Sequence, residues 1–277
     1  MALVHFNFES ECLGNNTEIS VILPDKPRTL TPAEFYGNGK RYKVLWLLHG
    51  TFGDHTDWLR KSNIELYACE KDLVVVMPSG LNANYVNWPS FATGYNAWDY
   101  LFEELMPLIY GWFPVSDRRE DNFIAGLSMG GGGAMQYAAG RPEKFAAAAI
   151  LSSAPSNLHE LDLNASSGTP AFDRRLKNAV ENFGGMEGYL NSPVNVWDRL
   201  PELSKAGVLP RLYFCCGKND FLYDRYQKFK DYAREIGLKA TFEEAEGYTH
   251  EWRFWDLFIQ KALVFFGLEE SGQGNPF

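Results

Sequence analysis

The chain has 277 residues, 45% of them hydrophobic and 22% charged, with a formal net charge of −9. That length holds one large α/β domain or two small ones, and the composition is that of a folded chain with a substantial core. The acidic balance and the lack of a basic stripe argue against a nucleic-acid partner, and no apolar run approaches the ~20 residues that cross a bilayer.

Residues 1–10 have neither a basic start nor a long apolar stretch, so no secretory signal is expected there. Val4, Phe6 and Phe8 alternate with polar residues, as do Ile19, Val21 and Leu23, which predicts two antiparallel N-terminal strands. Residues 24–40 are rich in Pro, Gly and polar side chains and read as loop. Near-continuous apolar runs follow at 44–48, 73–77, 123–125, 146–151 and 212–216, with a weaker strand signal around Phe242. Such runs suit strands covered on both faces, as in a parallel sheet. Helical patterns lie between them at 64–71, 98–112, 129–139, 226–236 and 252–266, the third closed by Gly140-Arg141-Pro142. The alternation implies an α/β fold: a doubly wound, mostly parallel sheet with antiparallel N-terminal strands and right-handed crossovers. Ligands of such sheets bind at the carboxyl ends of the strands.

One segment breaks the alternation. Residues 152–207 are too long for a simple connection and contain a predicted helix at 172–183. They read as a small cap-like insertion within a single domain spanning 1–277. The polar tail, 269–277, is expected to fray.

Chemistry concentrates at Gly126-Leu127-Ser128-Met129-Gly130, a G-x-S-x-G sequence between a strand and a small-residue helix. A serine on so sharp a turn has an exposed hydroxyl, and the flanking positions need glycine because side chains there would collide with neighbouring backbone. The hydroxyl needs a base, and the base an orienting carboxylate. His250 follows the last strand signal and precedes the final helix, where a loop delivers it to Ser128. Asp220 directly follows the 212–216 strand, whereas Asp224 falls where a helix begins and reads as a first-turn acid. The order Ser128, Asp220, His250 is that of the α/β-hydrolases. An oxyanion needs backbone N–H donors. Met129 and Thr51, in the loop His49-Gly50-Thr51-Phe52-Gly53 after the 44–48 strand, are the expected pair, with His49 as a loop-stabilising residue.

The remaining candidates are bland by comparison. Asp54, His55 and Asp57 read as solvent-facing loop polarity, so no metal is expected there. Cys215 and Cys216 are adjacent on a strand and point to opposite faces, and the spacing of all four cysteines fits neither a disulfide framework nor a metal site. Reduced thiols suggest the cytoplasm. Aromatic residues Tyr85, Trp88, Phe91, Tyr95 and Trp98 supply core packing or an apolar wall for a substrate, with Trp88 and, in the cap, Trp197 as the substrate-binding candidates.

From its N-terminal strands to its final helix the chain resembles the esterase D family of α/β-hydrolases, particularly its tributyrin-esterase-like members. The landmarks are Leu47-Leu48-His49-Gly50, Val75-Val76-Met77-Pro78, Gly126-Leu127-Ser128-Met129-Gly130-Gly131, Asp220-Phe221-Leu222 and His250-Glu251-Trp252. The resemblance implies a cofactor-free Ser-Asp-His carboxylesterase acting on short acyl or aryl esters, and it permits a homo-oligomer. Formylglutathione hydrolases of that group carry a Thr-Cys pair where this chain has Thr51-Phe52, which departs from their pattern. An acyltransferase sharing the triad, and a non-catalytic binding protein on the same scaffold, are the rival readings.

Overall fold

The computed structural model describes residues 2–270; residues 271–277, most of the polar tail, lie outside the described part. The strands are β1 (Ala2–Ser10), β2 (Asn15–Leu23), β3 (Lys43–Leu48), β4 (Leu73–Pro78), β5 (Asn87–Trp88), β6 (Tyr95–Asn96), β7 (Asn122–Leu127), β8 (Ala147–Leu151), β9 (Arg211–Gly217) and β10 (Ala240–Ala245). β5 and β6 form a small separate hairpin, and the other eight make one sheet in the order β1-β2-β4-β3-β7-β8-β9-β10. β1, β2 and β4 pair antiparallel, and every later neighbour is parallel. This is the doubly wound, mostly parallel sheet with antiparallel N-terminal strands that the periodicity predicts.

Strand side chains alternate between two cores. Val44, Trp46 and Leu48 join one core with helices Met129–Gly140, Val196–Ala206 and Tyr223–Glu235, while Leu45 and Leu47 join the other with Ile64–Glu70 and Trp252–Phe265. Cys216 belongs to the first and Cys215 to the second, so both faces of β9 are covered and its run is apolar throughout. β10 is an edge strand whose Glu243 and Glu244 reach Tyr213, Lys261, Lys230 and Gln227, which explains its weak hydropathy signal.

Three local expectations are corrected. The 24–40 loop contains a short helix, Pro32–Tyr36, started by a capping box between Thr31 and Glu34 and a proline in its first turn. The helix expected at 98–112 carries a π turn at Tyr100–Leu105. Pro107 has no N–H to give back to the preceding turn, and the Met106 N–H reaches Leu101 instead, five residues back. The insertion expected at 152–207 divides in two. Leu158, Ala179, Val180 and Tyr189 make a small cluster of their own, whereas Val196–Ala206 buries Leu200 in the main core as the crossover between β8 and β9. Pro201 lies inside that helix and donates no N–H, and the Trp197 carbonyl it leaves free accepts from the Tyr232 hydroxyl at 3.3 Å.

β7 is fixed at its start by Asn122, which is fully buried. Its Oδ1 accepts from Trp46 Nε1 at 3.0 Å and from the Tyr110 hydroxyl at 2.8 Å, and its Nδ2 donates to the Ser116 and Arg118 carbonyls. Asn122→Leu leaves these donors and acceptors buried and unpaired. A loss of about 3 kcal/mol in urea unfolding is the expected result, and an unchanged midpoint would contradict this account of β7.

Candidate active site

β7 ends at Leu127 and the next helix begins at Met129, so Ser128 alone turns the chain between them. It does so at φ 52° and ψ −116°, a region that side-chain-bearing residues rarely adopt. The turn is held by the Ser128 N–H donating to the Leu151 carbonyl at 2.8 Å and the Gly132 N–H donating to the Ser128 carbonyl at 3.0 Å. A Cβ on Gly126 would sit 2.3 Å from the Gly130 carbonyl oxygen, and one on Gly130 would sit 2.5 Å from that of His49. Both glycines of the pentapeptide are therefore sterically required. Gly131, Gly133 and Gly140 lie as tightly against Ser153, Tyr85 and Trp98, so the helix accepts a propensity cost of roughly 1 kcal/mol per glycine to lie close to its neighbours.

The three residues picked out by chain order meet at this turn. His250 Nε2 lies 2.9 Å from Ser128 Oγ, and His250 Nδ1 lies 2.8 Å from Asp220 Oδ2. Because a carboxylate only accepts, the Nδ1 proton points to Asp220 and leaves Nε2 as the acceptor for the serine hydroxyl. The Asp220 side chain is wholly buried, and its other oxygen accepts from the Leu222 N–H at 2.9 Å. Asp224 falls in the first turn of Tyr223–Glu235, away from this relay. The imidazole is gripped between Phe221, 4.6 Å away, and the edge of Trp255 at 5.0 Å. Trp255 is in turn tied to Ser152 Oγ through its indole N–H.

The loop after β3 is rigid for reasons written in His49. Its Nε2 accepts from the Gly80 N–H at 2.8 Å, so its Nδ1–H donates to the Gly50 carbonyl at 2.7 Å. Burial holds its pKa below the usual histidine value, which keeps the ring neutral and suits this two-way bond. The Tyr85 hydroxyl donates to the His49 carbonyl, and the Phe52 N–H to Asn82 Oδ1. Among the described residues the Thr51 and Met129 amides have no acceptor, and their side chains converge on one group: Arg175 Nη1 lies 2.8 Å from Thr51 Oγ1 and 3.8 Å from Met129 Sδ.

Other candidates land elsewhere. Trp197 stacks on Tyr232 at 3.9 Å, a packing position between two helices in place of the expected place over the site. Trp88 lies between the main core and the small cluster of the insertion, its indole N–H on the Ala83 carbonyl. Tyr85, Tyr95 and Trp98 pack in or against the core, while Phe91 is exposed. His55 and Asp57, read as solvent-facing, are buried. His55 Nδ1 bonds Ser20 Oγ and its Nε2 reaches Glu18 on β2, partners too distant in the chain for local polarity to reveal. Sequence reasoning missed Phe221, Trp255 and Arg175; only Phe221, next to Asp220, lies where a motif pointed.

The family model Esterase, described as "Putative esterase", matches residues 10–263. An acetyl esterase of Caldicellulosiruptor saccharolyticus is 30% identical over 270 residues, covering 95% of this chain and 97% of its own. Among solved structures, FphF, a fluorophosphonate-binding serine hydrolase of Staphylococcus aureus, is 31% identical with a TM-score of 0.77, covering 96% of this chain and 98% of that one. The S-formylglutathione hydrolase FrmB of the same organism is 32% identical with a TM-score of 0.76, over 96% and 98%. With its sheet order, its strained serine turn and a match over most of its length, the chain belongs to the Esterase family and is a carboxylic ester hydrolase of the α/β-hydrolase fold.

Proposed function

We propose that this enzyme is a cytoplasmic serine esterase, tributyrin-esterase-like within the esterase D group, that cleaves short-chain acyl or aryl esters through an acyl-enzyme on Ser128. The unbroken relay from Asp220 through His250 to Ser128 carries this reading. Ser128 Oγ attacks the ester carbonyl carbon while His250 Nε2 takes its proton, and Asp220 holds the imidazolium that forms. The Thr51 and Met129 N–H groups receive the developing oxyanion. Collapse of the tetrahedral intermediate breaks the carbonyl-carbon–alkoxy bond, and His250 returns the proton to the departing alcohol. Water then repeats the sequence on the acyl-enzyme and releases the acid, regenerating the Ser128 hydroxyl.

Substrate access is assigned to the first part of the insertion. Helix Pro170–Asn182 is tethered to the oxyanion loop through Arg175 and Thr51, and to the β5–β6 hairpin through Asn182 Nδ2 and the Asn87 carbonyl at 2.8 Å. Phe172 on that helix stacks over Phe52 at 6.4 Å. These contacts support a cap. A second reading, thioester hydrolysis of S-formylglutathione, draws on the 32%-identical structure of that name and passes through the same acyl-enzyme.

Ser128→Ala is expected to lower kcat for 4-nitrophenyl acetate by at least about 10⁴-fold and to abolish labelling by a fluorophosphonate. Wild-type turnover in that variant would refute the mechanism. Asp220→Asn keeps the side-chain shape but removes the acceptor that sets the His250 tautomer. A fall of about 10³–10⁴-fold in kcat is predicted from steady-state kinetics, and a fall of less than tenfold would remove Asp220 from the relay.

A further inference from the structure

Arg175 projects from the insertion onto the two residues assigned to the oxyanion pocket, 2.8 Å from Thr51 Oγ1 and 3.8 Å from Met129 Sδ. Its guanidinium stands 5.3 Å from the Phe172 ring. No carboxylate pairs with it among the described residues. Asp173, the acid two positions earlier on the same helix, is engaged by Ser166 and Ser167, and Asp220 is taken by His250 and Leu222. A half-buried guanidinium with a hydroxyl and a thioether as its polar neighbours keeps most of its five donors unused.

A second arginine stands on the helix that follows Asp220. Arg225 lies on the first turn of Tyr223–Glu235, five residues after Asp220, and has no ion-pair partner among the described residues. The Tyr189 phenol, on the insertion, is within electrostatic reach of both Arg175 and Arg225. Arg225 is solvent-exposed. Burial lowers the pKa of Arg175 from the usual arginine value. Arg175 is thus a partly dehydrated cation without a counter-charge, and Arg225 adds a second positive charge within reach of the same phenol. An anion beside Arg175 supplies that counter-charge and gains charge-assisted hydrogen bonds.

We propose that the substrate of this esterase carries an anionic group, a carboxylate in the simplest case, which Arg175 binds beside Ser128, with Arg225 adding positive charge at longer range. The proposal rests on the esterase reading and adds the substrate's charge to it. Arg175 is then a specificity residue, selecting among esters by contact with the part of the substrate that does not react.

Two matched pairs test it, each corrected for its rate with hydroxide. The acyl side is probed with 4-nitrophenyl hemiglutarate against 4-nitrophenyl valerate, and the leaving-group side with 4-acetoxybenzoate against 4-acetoxybenzamide. In the wild-type enzyme kcat/KM is expected to favour the anion by about tenfold to a hundredfold on one of the two sides, and added salt should shrink the preference. Arg175→Met should bring the ratio close to one, Arg175→Lys should retain part of it, and Arg225→Met should reduce it. The ratio compares two substrates of one folded enzyme, so a purely structural role for Arg175 would not move it. Ratios at or below one on both sides, or a preference that survives Arg175→Met, would overturn the proposal while leaving the esterase reading intact. If the wild-type enzyme cleaves neither member of either pair, the esterase reading falls and this proposal with it.

Discussion

The architecture of the site depends on a steric constraint: the helix after β7 must approach β3 so closely that no side chain fits between them. Gly130 meets the carbonyls of Leu48 and His49, and Gly126 meets that of Gly130. The squeeze forces Ser128 into a positive φ and lifts its hydroxyl off the sheet. It also brings the start of the helix, with its unpaired amides, beside the loop that follows β3. The proposed nucleophile and oxyanion donors are thus two products of one close approach.

Beside that point a charge is buried, and its hydrogen bonds are what allow it. Asp220 loses all contact with water, and both of its oxygens are engaged, one by a backbone amide and one by the imidazole. Aromatic neighbours on both sides leave His250 little freedom to rotate away. His49, a histidine of similar exposure to chemistry, is used in the opposite way. Both of its nitrogens are spent on backbone, one on Gly50 in its own loop and one on Gly80 in the loop after β4, so it cannot serve as a base. Partner geometry, not residue type, separates the two roles.

Much of this was legible because the relevant signals are local. Gly126, Ser128 and Gly130 sit within five residues, and Asp220 and His250 each follow a strand at the end where an α/β sheet binds ligands. What escaped depends on distant partners. His55 looks like loop polarity until Ser20 and Glu18 arrive from β2. Trp197 looks like part of a lid because it falls in the long 152–207 segment, and only the fold shows that its helix is the crossover between β8 and β9. Arg175 carries no motif at all. Its meaning lies in two residues more than forty positions away and in the missing carboxylate.

β7 has one further property. Its residues Phe123, Ile124, Ala125 and Leu127 are buried on both faces of the sheet, so hydrophobic pattern alone does not tell it which pairing register with β3 and β8 to choose. The polar residues at its two ends do. Asn122 finds its four partners only in the observed alignment, and Ser128 finds the Leu151 carbonyl and the imidazole only there. A slip of one residue would move the chain by roughly 3.3 Å and exchange the faces of every side chain. The asparagine buried far from the chemistry therefore works as an alignment pin: it sets the height at which the nucleophile emerges from the sheet.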